Sequence, residues 1–305
     1  MKKFIFKTLL LTLPIVVFAL SMEYLLRQIP NDYAYKKDYL NKHAEEIEVL
    51  ILGASHTLYG VNPSILQYNA FNASHVSQSW DLDFEIFDSY LDRFKNLKII
   101  ILSTSARSFW YSLEKGEEPW RVSKYVIYYG KKSNSLRENS EFLSNKFFIN
   151  MERLYKYYLK GINEIRSDSL GYVNNNGNLT GNLKAVVGRH SINNISSTTN
   201  TKMFGENLEI LHSFLKICSE RNIKVILLSS PTFYTYRKNL NIEQVKKTKE
   251  TINELVKMYD NAIYLDWQED SDFLAEDFYN ADHLNECGAK KLSIKLKNAI
   301  ISLTH

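Results

Sequence analysis

The feature that most constrains this chain is a series of short, continuous apolar runs separated by stretches of helical periodicity. Val49–Leu52 reads VLIL, and Leu97–Leu102 holds three consecutive isoleucines. Lys224–Leu228 reads KVILL and Ala262–Leu265 reads AIYL. A half-buried strand alternates apolar and polar residues, whereas a run that is apolar throughout suits a strand buried on both faces. Between these runs, apolar residues recur at helical spacing. They include Leu82, Ile86, Tyr90 and Phe94, then Leu208, Leu211, Phe214 and Leu215. Two more helical patterns cover about 242–259 and the stretch from Cys287 to Ile301, and Ala70–Asn72 is a further short strand. Strands alternating with helices imply a parallel sheet covered on both faces. The expected fold is therefore α/β, a flavodoxin-like three-layer α/β/α arrangement over residues 48–305.

A chain of 305 residues can bury a core of this kind with room for an insertion. From about 107 to 205 the pattern loosens. Two aromatic-rich helical stretches, Trp120–Tyr129 and Phe147–Ile165, precede polar segments reading VNNNGNLTGN and NNISSTTN. Loops of that length suggest a function or mobility. The net charge of +4 comes with no basic tract, which argues against a nucleic-acid partner.

The N-terminus adds a topology. Lys2, Lys3 and Lys7 precede an apolar run, Thr8–Met22, that Tyr24–Leu26 extend to a length able to cross a bilayer. Lysines ahead of such a run stay in the cytoplasm and send the remainder outside. Ala19-Leu20-Ser21 also fits a cleavage site, but the helical pattern continues to Arg27 and stops at Pro30. This favours an uncleaved anchor over residues 1–30, followed by a polar stalk at 31–47. Cys218 and Cys287 are the only cysteines, too few for a disulfide framework, and Cys218 falls on a predicted amphipathic helix as a buried thiol. No Cys/His cluster has metal-ligand spacing, so neither metal nor other cofactor is expected.

Two stretches carry chemistry. VLILGASHTLYGVNP places Ser55 just past the first strand, where a parallel sheet binds its ligands. By itself Ser55 is equally a small residue in a turn, and His56 beside it reads as structural or substrate-facing. FYNADHLNECGAKKLS places His283 ahead of the last helix, able to meet Ser55 at one sheet edge. A serine in reach of a histidine is an activated nucleophile if a third group holds the imidazole in the right tautomer. His190, in a variable loop, is more simply a solvent-exposed residue than a substrate contact.

Together, Gly53-Ala54-Ser55 and Asp282-His283-Leu284-Asn285 resemble the SGNH/GDSL hydrolase superfamily. With the anchor, FNASHVSQS and KVILLSSP, the chain more narrowly resembles membrane-anchored SGNH-like proteins of bacterial envelope and polysaccharide systems. The resemblance implies that Ser55 is the nucleophile and His283 the general base. In the family's Asp-x-x-His motif the orienting carboxylate lies three residues before the histidine, and here that position is Asn280. Asp282 and Asp277 are the nearby carboxylates that would substitute. In serine proteases the equivalent Asp-to-Asn change costs roughly four orders of magnitude in turnover. For the oxyanion site the resemblance nominates Asn72, together with Gly53. The family's glycine is missing from ASHVSQS, where Ala73 or Ser77 would stand in, and its Gly-x-Asn-Asp block is replaced by Ser103-Thr104-Ser105. The implied activity is that of a serine esterase or O-acetyltransferase, outside the cytoplasmic membrane, acting on a cell-surface or exported polysaccharide. A membrane-bound O-acyltransferase would be a partner. The alternative is a catalytically inactive glycan-binding or scaffold subunit of such a system.

Overall fold

The structure, a computed structural model, describes residues 1–175, 183 and 201–304. His190, the NNISSTTN segment and most of VNNNGNLTGN lie outside the described residues. The apolar runs form one five-stranded, wholly parallel sheet. Its strands are β1 (Val49–Leu52), β2 (Ala70–Asn72), β3 (Ile99–Ser103), β4 (Lys224–Ser229) and β5 (Ala262–Asp266), in the order β2-β1-β3-β4-β5. This is the doubly wound flavodoxin-like order, whose switch point lies between β1 and β3.

Register explains why both faces had to be apolar. Ile51 of β1 pairs with Ile101 of β3, which pairs with Ile226 of β4. These three share one face with Val49, Ile99 and Leu228, and pack against Leu292, Leu296 and Ile300 of the last helix, Glu286–Thr304. The intervening residues Leu50, Leu52, Ile100 and Leu102 point to the opposite face and are equally buried. Each such side chain withdrawn from water stabilises the fold by about 1.5–3 kcal/mol before entropy is charged against it. On the helical layers, Phe87 of Trp80–Tyr90 meets Phe214 of Thr201–Glu220 at 4.9 Å between ring centroids. Cys218 is buried and Cys287 exposed, and both are free thiols.

The helices carried forward are α1 (Lys2–Arg27), α2 (Asp32–His43), α3 (Ser55–Gly60), α4 (Trp80–Tyr90), α5 (Phe147–Leu154), α6 (Thr201–Glu220), α7 (Ile242–Met258) and α8 (Glu286–Thr304). The chain divides into two compact units. Tyr39–Glu118 with Ser167–His305 contains the sheet and its helices, and Met1–Asp38 with Pro119–Arg166 forms the other. The smaller unit is held by a buried ion cluster. The Glu141 carboxylate, fully buried, receives Lys124 Nζ at 2.6 Å and Arg153 at 2.8 Å, and Arg153 also reaches Glu164 at 2.7 Å. α1 is long and apolar enough to cross a membrane, and its most apolar stretch is not buried against protein. The 31–47 segment, read from sequence as a stalk, carries α2.

Candidate active site

β1 ends at Leu52, and the chain turns through Gly53 and Ala54 into α3, whose first residue is Ser55. The turn requires glycine. Gly53 has φ of +121°, and a Cβ there would lie 2.2 Å from Ser103 Cβ on β3. Close approach of the turn to the neighbouring strand thus sets where Ser55 emerges at the carboxyl edge of the sheet. His283 arrives from the other end of the chain. Phe278 and Leu284 form an antiparallel bridge, the N–H of Tyr279 donates to His283 O at 2.9 Å, and Asn285 caps α8 through the N–H of Gly288 at 3.0 Å.

The imidazole of His283 is fixed by Asn280. Asn280 Oδ1 accepts from the backbone N–H of Asp282 at 2.9 Å and of His283 at 2.8 Å, and lies 3.1 Å from His283 Nδ1. Two backbone donors aimed at one atom identify it as the amide oxygen, so Nδ1 must also donate to it. A proton on Nδ1 leaves Nε2 as the acceptor, and Nε2 lies 2.7 Å from Ser55 Oγ. Asn280 therefore does the orienting work that a carboxylate does elsewhere, but brings no charge.

The charge comes from Asp282. Its Oδ1 accepts from His56 Nε2 at 2.8 Å, while Oδ2 stands 3.7 Å from His283 Nε2. The two imidazoles lie nearly parallel, 5.5 Å apart. Burial alone would raise the Asp282 pKa, but the charges of His56 and His283, the His56 hydrogen bond and Arg107 together hold it well below the usual carboxylate range. His56 is pushed up: burial opposes its charge, and Asp282 more than offsets that. His283 is pushed down, by burial first, with Asp282 opposing and His56 adding to the fall.

Ser55, His56, Asp282 and His283 line a cleft of about 320 Å³, together with Asp83 and Arg107. The Arg107 guanidinium lies over the Tyr111 ring, 4.8 Å from its centroid. Asp83 is buried on α4. Its Oδ1 accepts from Gly53 N–H at 2.7 Å and from Gln78 Nε2 at 2.5 Å, and its Oδ2 has no hydrogen-bond partner. Burial pushes its pKa up to about 7, against the two hydrogen bonds that favour the charge.

Two sequence nominations are corrected. Asn72 does not reach the cleft: it is fully buried, and its Nδ2 donates to Thr57 O at 2.9 Å and to Val61 O at 3.0 Å, tying β2 to α3. Gly53 lines the cleft, but its N–H is committed to Asp83, so neither residue has a donor free for an oxyanion. Asp277 is also elsewhere, bound to Lys291 and to the N–H of Leu274. Of the two small residues proposed to replace the family's glycine, Ser77 lines the cleft with φ of +60°, a conformation glycine favours. The sequence reading gave no role to Asp83. The available signal was an acid on the apolar side of α4, three residues after Trp80 and four before Phe87.

No family model matches the chain, and no curated protein matches it. Among solved structures, one from Streptococcus pneumonia, provisionally assigned as a platelet activating factor, is similar over 95% of this chain and 98% of that one, at 12% identity and a TM-score of 0.45.

Proposed function

We propose that this chain is a membrane-anchored, extracytoplasmic serine esterase or O-acyl transferase of the SGNH/GDSL type, acting on a cell-surface or exported polysaccharide. The observation that carries the reading is the Ser55–His283–Asn280 line, with Oγ 2.7 Å from Nε2 and Nδ1 donating to an amide oxygen. In the proposed reaction Ser55 Oγ attacks the ester carbonyl carbon while its proton passes to His283 Nε2. The tetrahedral intermediate collapses, the C–O bond to the leaving alcohol breaks, and that alcohol takes the proton from His283. Water or a sugar hydroxyl then gives its proton to Nε2 and attacks the acyl-serine, and Ser55 is regenerated. Throughout, Asn280 holds the tautomer and Asp282 stabilises the imidazolium from 3.7 Å. Export follows from α1 and the lysines ahead of it.

The test is labelling of the purified full chain by a fluorophosphonate probe, with turnover of an aryl acetate. Wild type is expected to label and turn over, and Ser55→Ala to do neither. Labelling that persists unchanged in Ser55→Ala overturns the serine mechanism. The neutral Asn280 is the observation favouring the second reading, a non-catalytic glycan-binding or scaffold subunit. That reading is supported if folded wild-type protein takes no label.

A further inference from the structure

The smaller unit contains a helical segment that is inside out for a protein in water. α5 and the π-helical turn continuing it, Tyr155–Leu159, direct their polar residues inward. Asn150 is fully buried and donates to Phe142 O at 2.9 Å, and Arg153 enters the Glu141–Glu164 ion cluster. The apolar residues face out: Phe148 is 84% exposed, Leu159 is 72% exposed, and Phe147, Met151, Tyr155 and Tyr158 are each more than two-fifths exposed. A soluble surface helix has the opposite arrangement, and an apolar patch this continuous marks an interaction surface.

What covers it is indicated by its continuity with the anchor. The Tyr158 hydroxyl donates to Leu25 O at 3.1 Å, near the end of α1, where Tyr24 and Leu25 are themselves exposed. Glu23 of α1 accepts from Ser140 Oγ at 2.7 Å and from the N–H of Phe142 at 2.9 Å, fastening the helix that precedes α5. The outward composition is phenylalanine, tyrosine and leucine, with Lys146, Lys156 and Lys160 exposed on the same segment. Aromatic rings with flanking lysines are the composition of a helix lying in a membrane interface.

We propose that residues 147–162 lie in the plane of the bilayer interface, apolar side in lipid, making the anchor unit a seated platform rather than a single tether. The inference rests on the reading of α1 as a membrane span. It is tested on the full chain with Cys287→Ser, reconstituted in phosphatidylethanolamine–phosphatidylglycerol vesicles and carrying a nitroxide at Phe148→Cys, Leu159→Cys or Leu11→Cys. Neither exposed position contributes packing that its replacement would lose. Burial about 5–10 Å into the headgroup and acyl boundary is expected at 148 and 159. There, collision with oxygen should rise and collision with a water-soluble nickel chelate should fall severalfold relative to the free label. Water-like values at 148 and 159 with a deep Leu11 overturn the platform and leave the anchor standing. Water-like values at all three sites overturn both. Shielding of 148 and 159 from both reagents alike means that protein covers the patch, and also overturns the proposal.

Discussion

The division of labour between Asn280 and Asp282 predicts a specific defect in Asp282→Asn. The substitution keeps the side chain's shape, and its amide oxygen can still accept from His56 Nε2, so the loop need not move. What it removes is a negative charge 3.7 Å from His283 Nε2. At that separation a carboxylate and an imidazolium attract by about 1 kcal/mol in a water-like medium and about 4 kcal/mol at an effective dielectric constant near 20. Both side chains are about one-fifth exposed, so the value falls between those limits. When His56 is also protonated the His56–Asp282 pair is neutral overall, which weakens its pull on His283 at low pH. A loss of roughly tenfold to a hundredfold in kcat/KM is therefore expected on the high-pH plateau.

The same charge fixes the sign of the pH effect. Burial and His56 lower the His283 pKa, and Asp282 opposes them. Without Asp282 the imidazole is harder to protonate, so the acidic limb of kcat/KM, where His283 gains its proton, moves to lower pH. The expected shift is about one unit or more. The assay is aryl acetate hydrolysis across pH for wild type and Asp282→Asn. A purely structural lesion lowers the plateau and leaves the limb where it was. That result, or an unchanged plateau, refutes the claim that Asp282 acts on His283 by charge.

Asp83 predicts a stability profile. Its folded pKa of about 7 exceeds the unfolded value near 3.8, so the folded chain holds the proton more tightly. The stability it contributes is fully present below the unfolded pKa and is lost as pH rises through about 7, a change of about 4 kcal/mol. Urea midpoints of wild type should fall between pH 5 and pH 8, and those of Asp83→Asn should fall less; equal slopes would count against the buried, unpartnered Oδ2. Gly53→Ala combines a positive φ with a Cβ 2.2 Å from Ser103 Cβ, and should cost about 3 kcal/mol or more. Thermal unfolding is expected to show a Tm lower by roughly 6–12 °C, with fluorophosphonate labelling reduced because Ser55 is displaced. A Tm within about 2 °C of wild type would show that the turn relaxes without loss.

The contrast between what the sequence displayed and what it hid follows from how far each interaction reaches. The strands were legible because burial on both faces of a parallel sheet leaves a local signature: Ile99, Ile100 and Ile101 admit few other fates. Ser55 and His283 were legible because each sits at a fixed place relative to a strand or helix, so the topology alone brings them to one edge. Asn280 was visible as a departure from a motif, but its function was not, because that depends on backbone N–H groups converging on Oδ1. His56 was the reverse case. Adjacency to Ser55 made it conspicuous, yet its partner Asp282 lies 226 positions away, and nothing local announces a contact of that separation. Asn72 failed for a related reason. An asparagine ending a strand beside the site looks like a donor for the substrate, whereas burial obliges both its N–H groups to satisfy the carbonyls of Thr57 and Val61. A polar residue near a strand end is thus assigned by whether the backbone around it leaves its hydrogens free. At this sheet edge the carbonyls of α3 and the turn after it had first claim, so the donors for an oxyanion have to come from groups that Thr57, Val61 and Asp83 do not already hold.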